Sequence, residues 1–283
     1  MSARDSGLDL AMLDLGGLDA EIAGTQFAGA VRYLPTTRST NAEALAAAAE
    51  GAAGGVWVAD EQTAGRGRGG HAWHSAAGDG LYVSVLVRPR LQGGDALKLS
   101  LAAGLAAKAA VEEAVGVTLD IRWPNDLIGR LSDGVERKIS GILTECAMDG
   151  GDGALAYAVI GIGMNLNQAE MPEELREIAA SLRMIAGGRV DRLRVLGALL
   201  RELDGELAKL EQEPAAALME RFGRASTWVH GLSVSVEEEG GYTGVTDGLN
   251  KQGLLRVRLA DGVVRTVRVG GVRRIRSVDA AGD

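Results

Sequence analysis

The chain has 283 residues, and this length predicts one catalytic domain with a smaller appendage. Its formal net charge is −8, with 30 basic and 38 acidic residues, which disfavours a protein that grips a long nucleic-acid backbone. Cys146 is the only cysteine, so an internal disulfide and a cysteine-built zinc site are excluded. The first residues contain no signal-like or membrane-spanning hydrophobic run, and we expect a cytoplasmic protein.

The first part of the chain is predicted to be a lead-in followed by a helix. Residues 1–30 have irregular apolar spacing, which predicts a short helix and a loop. Thr40 and Glu43 have the Thr-x-x-Glu spacing of a capping box, so the next helix should begin near Asn41. The lead-in is too short to hold a separate DNA-binding domain.

The middle of the chain alternates predicted strands and helices. Strand-length runs rich in β-formers lie at 56–59, 81–87, 117–122, 138–146 and 155–162. Helical spacing covers 98–115 and most of 172–222, and the second of these ranges carries a leucine stripe. The stripe consists of Leu193, Leu196, Leu200, Leu203, Leu207 and Leu210. We interpret it as core packing, because it is shorter than the roughly three heptads that a coiled coil needs.

The sequence pattern changes after Trp228 to short segments of alternating polarity. These segments lie at 232–236, 254–259 and 263–269, and Asp261-Gly262 has the sequence of a tight hairpin turn. The pattern predicts a small β-barrel of about 50 residues, at the lower end of domain sizes.

The loop at 61–74, between two predicted strands, is rich in glycine and arginine. Its glycines allow backbone N–H groups to approach a ligand, and Arg66 and Arg68 offer planar donors suited to phosphate or carboxylate oxygens. Together they predict an anion cradle. A flexible glycine-arginine segment that binds nucleic acid is the alternative interpretation.

A second segment, at 122–145, places a carboxylate and a lysine near strand ends. Pro124 and Asn125 predict a turn that presents Asp126, and Lys138 opens an otherwise apolar strand. A lone ammonium group in such a strand needs a partner. A substrate anion is one candidate, and a strand-terminal lysine that reaches solvent is the other.

Several common sites are absent from the sequence. The segment at 159–167 lacks the third glycine of a dinucleotide fingerprint, and the P-loop spacing does not occur, so ATP chemistry would need another nucleotide-binding fold. His71, His74 and His230 do not make a closed zinc site, and we predict no metal bound by the protein itself. Ser39 has no nucleophile elbow, so we expect it to form hydrogen bonds.

Four segments, taken in order, resemble one family. They are STN at 39–41, GRGRGG at 65–70 with Trp73 after it, WPND at 123–126 followed by RKISGIL at 137–143, and GIGMNLN at 161–167. The combination resembles the biotin protein ligases over about residues 30–275. Because the lead-in is short, we expect the monofunctional type without an N-terminal DNA-binding domain.

The resemblance implies an α+β fold of the class II synthetase-like biotin/lipoate ligase type. That fold has a mixed β-sheet with helices on one side and a small C-terminal SH3-like β-barrel. On this basis we expect a lead-in at 1–30, a catalytic domain at 31–226 that binds biotin and ATP, and an SH3-like domain at 227–283.

The resemblance also implies site residues. Lys138, Arg66 and Asp126 would be catalytic, with Lys138 contacting the biotin carboxylate and the α-phosphate, and Asp126 lying where the acceptor lysine arrives. The residues implied to bind biotin or biotinyl-AMP are Ser39, Thr40, Asn41, Gln62, Gly65, Arg66, Gly67, Arg68, Trp73, Lys138, Gly141 and Asn165.

The implied reaction has two steps. The biotin carboxylate attacks the α-phosphate of ATP, with Mg²⁺ present, to give biotinyl-5′-AMP and pyrophosphate. A lysine amine of a biotin carboxyl carrier protein, from acetyl-CoA carboxylase or a related carboxylase, then attacks the acyl carbon and AMP leaves. No DNA or membrane partner is implied, and the enzyme could be a monomer or a homodimer.

One departure and two alternatives accompany the resemblance. Many family members have an arginine where this chain has Gly69, so the loop lacks one positive charge. A lipoate–protein ligase or octanoyltransferase of the same fold is the nearest alternative, although its arginine-arginine loop and glycine triplet are absent. An RNA-binding module is the alternative from another class, based on the loop and on seven arginines beyond Trp228: Arg256, Arg258, Arg265, Arg268, Arg273, Arg274 and Arg276.

Overall fold

The computed structural model describes residue 13 and residues 15–238, 240–268 and 271–275. Most of the predicted lead-in, residues 1–12 and 14, lies outside the described residues. The helices are α1 Leu18–Glu21, α2 Thr40–Ala49, α3 Ala96–Val115, α4 Leu182–Ala186, α5 Arg192–Gln212 and α6 Ala215–Ala225. The strands of the larger sheet are β1 Val31–Thr37, β2 Gly55–Gln62, β3 Gly80–Val87, β4 Asp120–Arg122, β5 Asp126–Arg130, β6 Glu136–Met148 and β7 Leu155–Asn165.

The larger sheet is mixed. Its strand order is β1-β2-β3-β7-β6-β5-β4, in which β1 and β2 are parallel and the other neighbours are antiparallel. The predicted mixed sheet of an α+β fold is therefore confirmed.

One face of this sheet is covered by the two long helices. Valines and isoleucines of β2, β3, β6 and β7 pack there against α3 and α5. Small residues of α3, among them Ala103 and Ala107, leave room for α5 to approach closely. Four leucines of the predicted stripe of α5 are buried in the same layer, and Leu193 and Leu210 pack against it while partly exposed. Each fully buried leucine contributes about 1.5–3 kcal/mol.

The prediction that all helices lie on one side needs a correction. The helix α2 packs on the opposite face, where Ala44 and Ala48 contact Trp57, Leu86 and Val159. This helix is rich in alanine and has no strong apolar stripe, so its sequence does not indicate which face of the sheet it covers. Its position is important for function, because its N-terminus points into the pocket described below.

The smaller sheet follows α6 and is antiparallel. Its strand order is β11-β10-β9-β8-β12. The strands are β8 His230–Val236, β9 Tyr242–Leu249, β10 Leu255–Arg258, β11 Val264–Thr266 and β12 Val272–Arg274. The second β unit is thus confirmed in the described part of the chain, whereas the closed SH3-like barrel and the domain limits stay predictions.

Several elements were absent from the predicted pattern, for identifiable reasons. Strand β1 contains Pro35, which an edge strand tolerates because one side of the backbone needs no ladder partner. Strand β9 contains Gly244 and Gly248, which lower β propensity. Strands β5 and β12 are short, with five and three residues. The helix α2 begins within one residue of the predicted position.

The capping box predicted at the start of α2 is wrong. Ser39 is the N-cap residue, and it makes no side-chain capping bond. The Thr40 hydroxyl donates to Gln62 Oε1 at 3.1 Å, and the Glu43 carboxylate accepts from the Thr37 hydroxyl at 2.6 Å. Both side chains therefore bind neighbouring strands instead of the first turn of their own helix.

Candidate active site

A hollow in the larger sheet forms the base of the site. On the face covered by α2, Tyr82 of β3 is paired with Gly163 of β7, and Gly163 with Gly141 of β6. One register step away, Gly161 separates Ser84 from Leu143. The three glycines leave a space where other residues would project side chains.

The space above the glycines is filled closely by two side chains. A Cβ atom on Gly161 would lie 2.1 Å from Asn41 Oδ1, and one on Gly163 would lie 2.5 Å from Trp73 Nε1. A Cβ on Gly141 would lie 3.0 Å from Lys138 Nζ. These positions must therefore be glycine for Asn41 and Trp73 to lie against the sheet.

Most of the predicted ligand-binding residues meet in one pocket above this hollow. Its lining includes Ser39, Thr40, Asn41, Gln62, Arg66, Gly67, Arg68, Trp73, Lys138 and Gly141. Gly65 lies directly behind the lining, since a Cβ there would be 2.7 Å from the Trp73 carbonyl oxygen. Asn165 is buried outside the lining and donates to the Ala180 carbonyl at 3.2 Å. Four sequence segments far apart in the chain are thus brought together.

A neutral hydrogen-bond network lies at the bottom of the pocket, and we call it the floor: Thr40, Asn41 and Gln62, which line the pocket, and Ser84, which is buried behind them. Gln62 Oε1 accepts from the Thr40 backbone N–H at 2.9 Å. The Ser84 hydroxyl lies 2.7 Å from Thr40 Oγ1 and 2.5 Å from Asn41 Oδ1, either of which can accept its one proton. Gln62 Nε2 donates to the Ser75 hydroxyl at 2.9 Å, which fixes the orientation of the amide.

Tyr82 adds a neutral aromatic wall to the pocket. Burial raises the pKa of its phenol, and nearby acidic groups act in the same direction. Its hydroxyl donates to the Ala76 carbonyl at 3.0 Å. Tyr82 is therefore uncharged throughout the neutral pH range.

Among the residues of the site that were not predicted from the sequence are Tyr82, Ser84 and Glu145. Asn41 Nδ2 donates to Glu145 Oε2 at 2.7 Å, while Arg66 Nη2 lies 3.9 Å from Glu145 Oε1. Glu145 lies on the same strand face as Gly141, four residues earlier on β6, because side chains alternate along a strand. That alternation is the signal that could have identified it.

The upper wall of the pocket is charged, and we call it the rim: Lys138, Arg66 and Arg68. Lys138 Nζ lies 2.6 Å from Asp126 Oδ1 and 5.3 Å from the centre of the Trp73 ring. The partner that the sequence required for this ammonium group is thus the Asp126 carboxylate in the described structure. The backbone N–H of Lys138 donates a hydrogen bond to the segment at 178–180, and its carbonyl accepts one from the same segment. These two bonds hold the Lys138 backbone in place.

The glycine-arginine loop folds back across the pocket. Arg66 pairs with Ala72 in an antiparallel bridge, and the Gly67 N–H donates to the His71 carbonyl at 2.7 Å. Gly69 and Gly70 have φ values of 65° and 80°, a region that favours glycine and closes the tip of the loop. Arg68 Nη1 donates to Asn125 Oδ1 at 2.9 Å, so the loop is anchored to the opposite wall.

The arginines of the smaller sheet do not form a free basic patch. Arg256 and Arg258 both contact Asp247, at 3.0 and 2.8 Å. The Arg273 guanidinium lies 2.7 Å from Glu237, and Arg265 lies over the Tyr242 ring. Arg276 lies outside the described residues. These contacts favour a solvated protein surface over an RNA-binding face.

The ranges that the structure describes lack two further features. No group of three or more His, Cys, Asp or Glu side chains there is arranged to hold a metal ion. None of the helices in these ranges combines the length and apolar character needed to cross a bilayer.

The part of the chain that forms this pocket is similar in sequence to known proteins. Residues 33–165 match the model of the biotin/lipoate A/B protein ligase family. The chain is 36% identical to the biotin–acetyl-CoA-carboxylase ligase of Mycobacterium tuberculosis over 230 residues, which cover 77% of this chain and 79% of that protein. It is 42% identical to the bifunctional ligase/repressor BirA of Bacillus subtilis over 149 residues, covering 52% of this chain and 44% of that protein. This chain therefore aligns with less than half of the Bacillus protein.

A solved structure supports the same similarity. The biotin protein ligase from Aquifex aeolicus, in complex with biotin and ATP, superposes with a TM-score of 0.72 at 29% sequence identity. The match covers 88% of this chain and 100% of that one.

Proposed function

Because the chain belongs to the biotin protein ligases of the biotin/lipoate A/B protein ligase family, we propose that it activates biotin with ATP and transfers the biotinyl group to a lysine of a carrier protein. The intermediate is biotinyl-5′-AMP, and pyrophosphate and AMP are the other products. The carrier is a biotin carboxyl carrier protein of acetyl-CoA carboxylase or a related carboxylase.

The observation that carries this proposal is that a neutral floor and a cationic rim lie in one pocket. Biotin has an uncharged ring that donates and accepts hydrogen bonds, and a carboxylate at the end of an aliphatic chain. The floor offers hydroxyl and amide groups to the ring, whereas the rim offers positive charge to the carboxylate and the phosphate. Lipoate has no such polar ring, and it would leave the buried groups of the floor without partners.

The first step brings two anions together. Arg66, Arg68 and Lys138 offset the repulsion between the biotin carboxylate and the α-phosphate, and they stabilise the charge that develops on the phosphate oxygens. Mg²⁺ bound to ATP would share this task, held by the substrate phosphates and water together with few protein ligands. Asp126, whose Oδ1 lies 2.6 Å from Lys138 Nζ, positions this ammonium group for the substrate anions.

The second step needs access for the acceptor lysine and protection from water. We assign Asp126 to the place where this amine arrives, because its carboxylate lies 2.6 Å from Lys138, which lines the pocket. The glycine-arginine loop, closed over the pocket, excludes water that would hydrolyse the mixed anhydride. The pocket has a volume of only ≈ 40 Å³, well below the roughly 300 Å³ of a usual ligand site, so we expect Trp73 and the loop to move outward when the substrates enter.

The test is ATP–pyrophosphate exchange measured with biotin, with lipoate and with neither. We expect exchange with biotin only, because adenylation of biotin releases pyrophosphate and the reversal of that step returns labelled pyrophosphate to ATP. Transfer of biotin to a purified biotin carboxyl carrier domain then tests the second half-reaction. Exchange with lipoate but not with biotin would move the assignment to the lipoate ligases, and exchange with neither would overturn it.

A further inference from the structure

Trp228, in the connection between α6 and β8, contacts two guanidinium groups. Its side chain is buried, with 5% exposed. Arg122 Cζ lies 5.7 Å from the centre of the ring, and Arg274 Cζ lies 5.8 Å from it. Both distances are within the range of a cation–π interaction, which is stronger with tryptophan than with the other aromatic residues. Trp228 therefore restrains the positions of both arginines.

The first arginine leads directly to the active site. Arg122 of β4 and Asp126 of β5 are paired across the two strands, and Arg122 Nη2 lies 2.6 Å from Asp126 Oδ2. The other oxygen of the same carboxylate lies 2.6 Å from Lys138 Nζ. Asp126 is thus held from one side by Arg122 while it holds Lys138 on the other.

The second arginine leads to the strand that carries Lys138. Arg274 of β12 lies 3.2 Å from Glu136, two residues before Lys138 on the same face of β6. Trp228 consequently lies between two charged pairs, one that includes the Asp126 partner of Lys138 and one on the strand that carries Lys138.

The segment at 226–228 also contacts β4 along the whole length of the strand. Strand β4 has only three residues and lies at the edge of the larger sheet, so it has few contacts of its own. Each of these residues binds the segment at 226–228. The contacts are Thr227 Oγ1 to Asp120 Oδ2 at 2.5 Å, Ser226 Oγ to the Ile121 carbonyl at 2.5 Å, and Arg122 over the Trp228 ring.

We propose that Trp228 is a positioning residue for the adenylation step, acting through Arg122 and Asp126 on the Lys138 ammonium. This inference rests on the proposed function, because it assumes that Lys138 stabilises the reacting carboxylate and phosphate. It gives the smaller sheet and its connection a defined part in the chemistry, although neither lines the pocket. The placement of Lys138 affects the transition state more than the binding of biotin to the floor, so the effect should appear in kcat.

The experiment uses Trp228→Leu, Trp228→Phe and, as a matched control, Tyr242→Leu. The control removes another arginine–aromatic contact of the smaller sheet, between Tyr242 and Arg265, that does not lead to Asp126. In biotin-dependent exchange, Trp228→Leu should lower kcat about 3- to 30-fold, the range that one cation–π contact transmits, while the KM for biotin changes little. Trp228→Phe should recover much of the rate, and Tyr242→Leu should resemble the wild type.

A double-mutant cycle with Arg122→Gln tests the proposed connection. If Trp228 acts through Arg122, the two substitutions should together cost little more than Arg122→Gln alone. Additive losses, or a loss in Tyr242→Leu equal to that in Trp228→Leu, would overturn the proposal. Biotin-binding stoichiometry and thermal unfolding give the folded fraction of each variant, so that rates are compared per folded molecule.

Hydrogen exchange separates this proposal from the proposed function. Trp228→Leu should expose the amides of β4 and β5 to faster exchange, whatever the substrate is, whereas Tyr242→Leu should not. If wild-type protein fails to catalyse biotin-dependent exchange, the proposed function fails. Unchanged amide exchange in β4 and β5 overturns the positioning role itself.

Discussion

The floor of the pocket is neutral and buried, whereas its rim is charged and partly exposed. Thr40, Asn41 and Ser84 are 3%, 5% and 0% exposed, and they bind each other through hydrogen bonds between uncharged groups. The side chains of Lys138 and Arg66 are 28% and 51% exposed, and each faces a carboxylate. One pocket therefore contains two environments that recognise different parts of a ligand.

This difference separates selection from catalysis. Buried polar groups discriminate strongly, because a ligand that leaves them without partners loses the full cost of their desolvation. Partly exposed cations discriminate less, since water and salt also stabilise them, but they supply charge to a reaction that concentrates negative charge. Substitutions in the floor should thus change biotin affinity, and substitutions in the rim should change the rate of adenylation.

The largest effect is expected for Lys138→Ala. Removing this ammonium group should slow biotin-dependent pyrophosphate exchange by about two to three orders of magnitude, equivalent to about 3–4 kcal/mol of transition-state stabilisation. Biotin binding in the absence of ATP should weaken far less, because the floor is unchanged. Lys209→Ala is the matched control, since Lys209 pairs with Glu206 on α5, away from the pocket. Near-normal turnover in Lys138→Ala would show that Lys138 does not stabilise the adenylation transition state.

The next effect tests the floor. In Gly161→Ala the new methyl group would meet Asn41 Oδ1 at 2.1 Å, and Asn41 cannot move without breaking its bonds to Ser84 and Glu145. Overpacking of this kind costs about 1–3 kcal/mol, so the Kd for biotin, measured by calorimetry, should rise about 5- to 150-fold.

The matched control for that substitution is Gly150→Ala, where a Cβ meets nothing within 4 Å. The kcat at saturating biotin should change less than the Kd in Gly161→Ala. Wild-type biotin affinity in this variant would mean that the ligand does not use Asn41, and the division between floor and rim would no longer hold.

The sequence predicted the parts of the site that lie on continuous motifs. The glycine-arginine loop, the Lys138 strand and the start of α2 were each recognisable within a few residues, and the structure brings them into one pocket. The motifs were informative because glycines and charges at fixed spacing have few purely structural explanations. The prediction that the Lys138 ammonium group needs a partner was also correct, but that partner in the described structure is Asp126 instead of a ligand.

The residues that were missed depend on pairing between distant strands. Ser84 becomes part of the floor only because β3 lies beside β7 in a register that places it next to Gly161. Trp228 reaches Arg122 only through the packing of the α6–β8 connection on β4. No local pattern in one sequence specifies such a register, since each strand segment is equally compatible with several partners.

Glu145 is where the floor and the rim meet, and it gives the smallest expected effect. Glu145→Gln keeps an oxygen that accepts from Asn41 Nδ2, so the Kd for biotin should stay within about twofold of the wild-type value. Glu145→Ala removes the acceptor and should weaken biotin binding about fivefold, while the bond from Asn41 Nδ2 to the Leu143 carbonyl at 3.3 Å remains. The KM for ATP should change little in either variant, because the Arg66 pair at 3.9 Å is half-exposed and weak. If Glu145→Gln proved as harmful as Glu145→Ala, and the loss appeared in the KM for ATP, the carboxylate would belong functionally to the rim, where its charge holds Arg66.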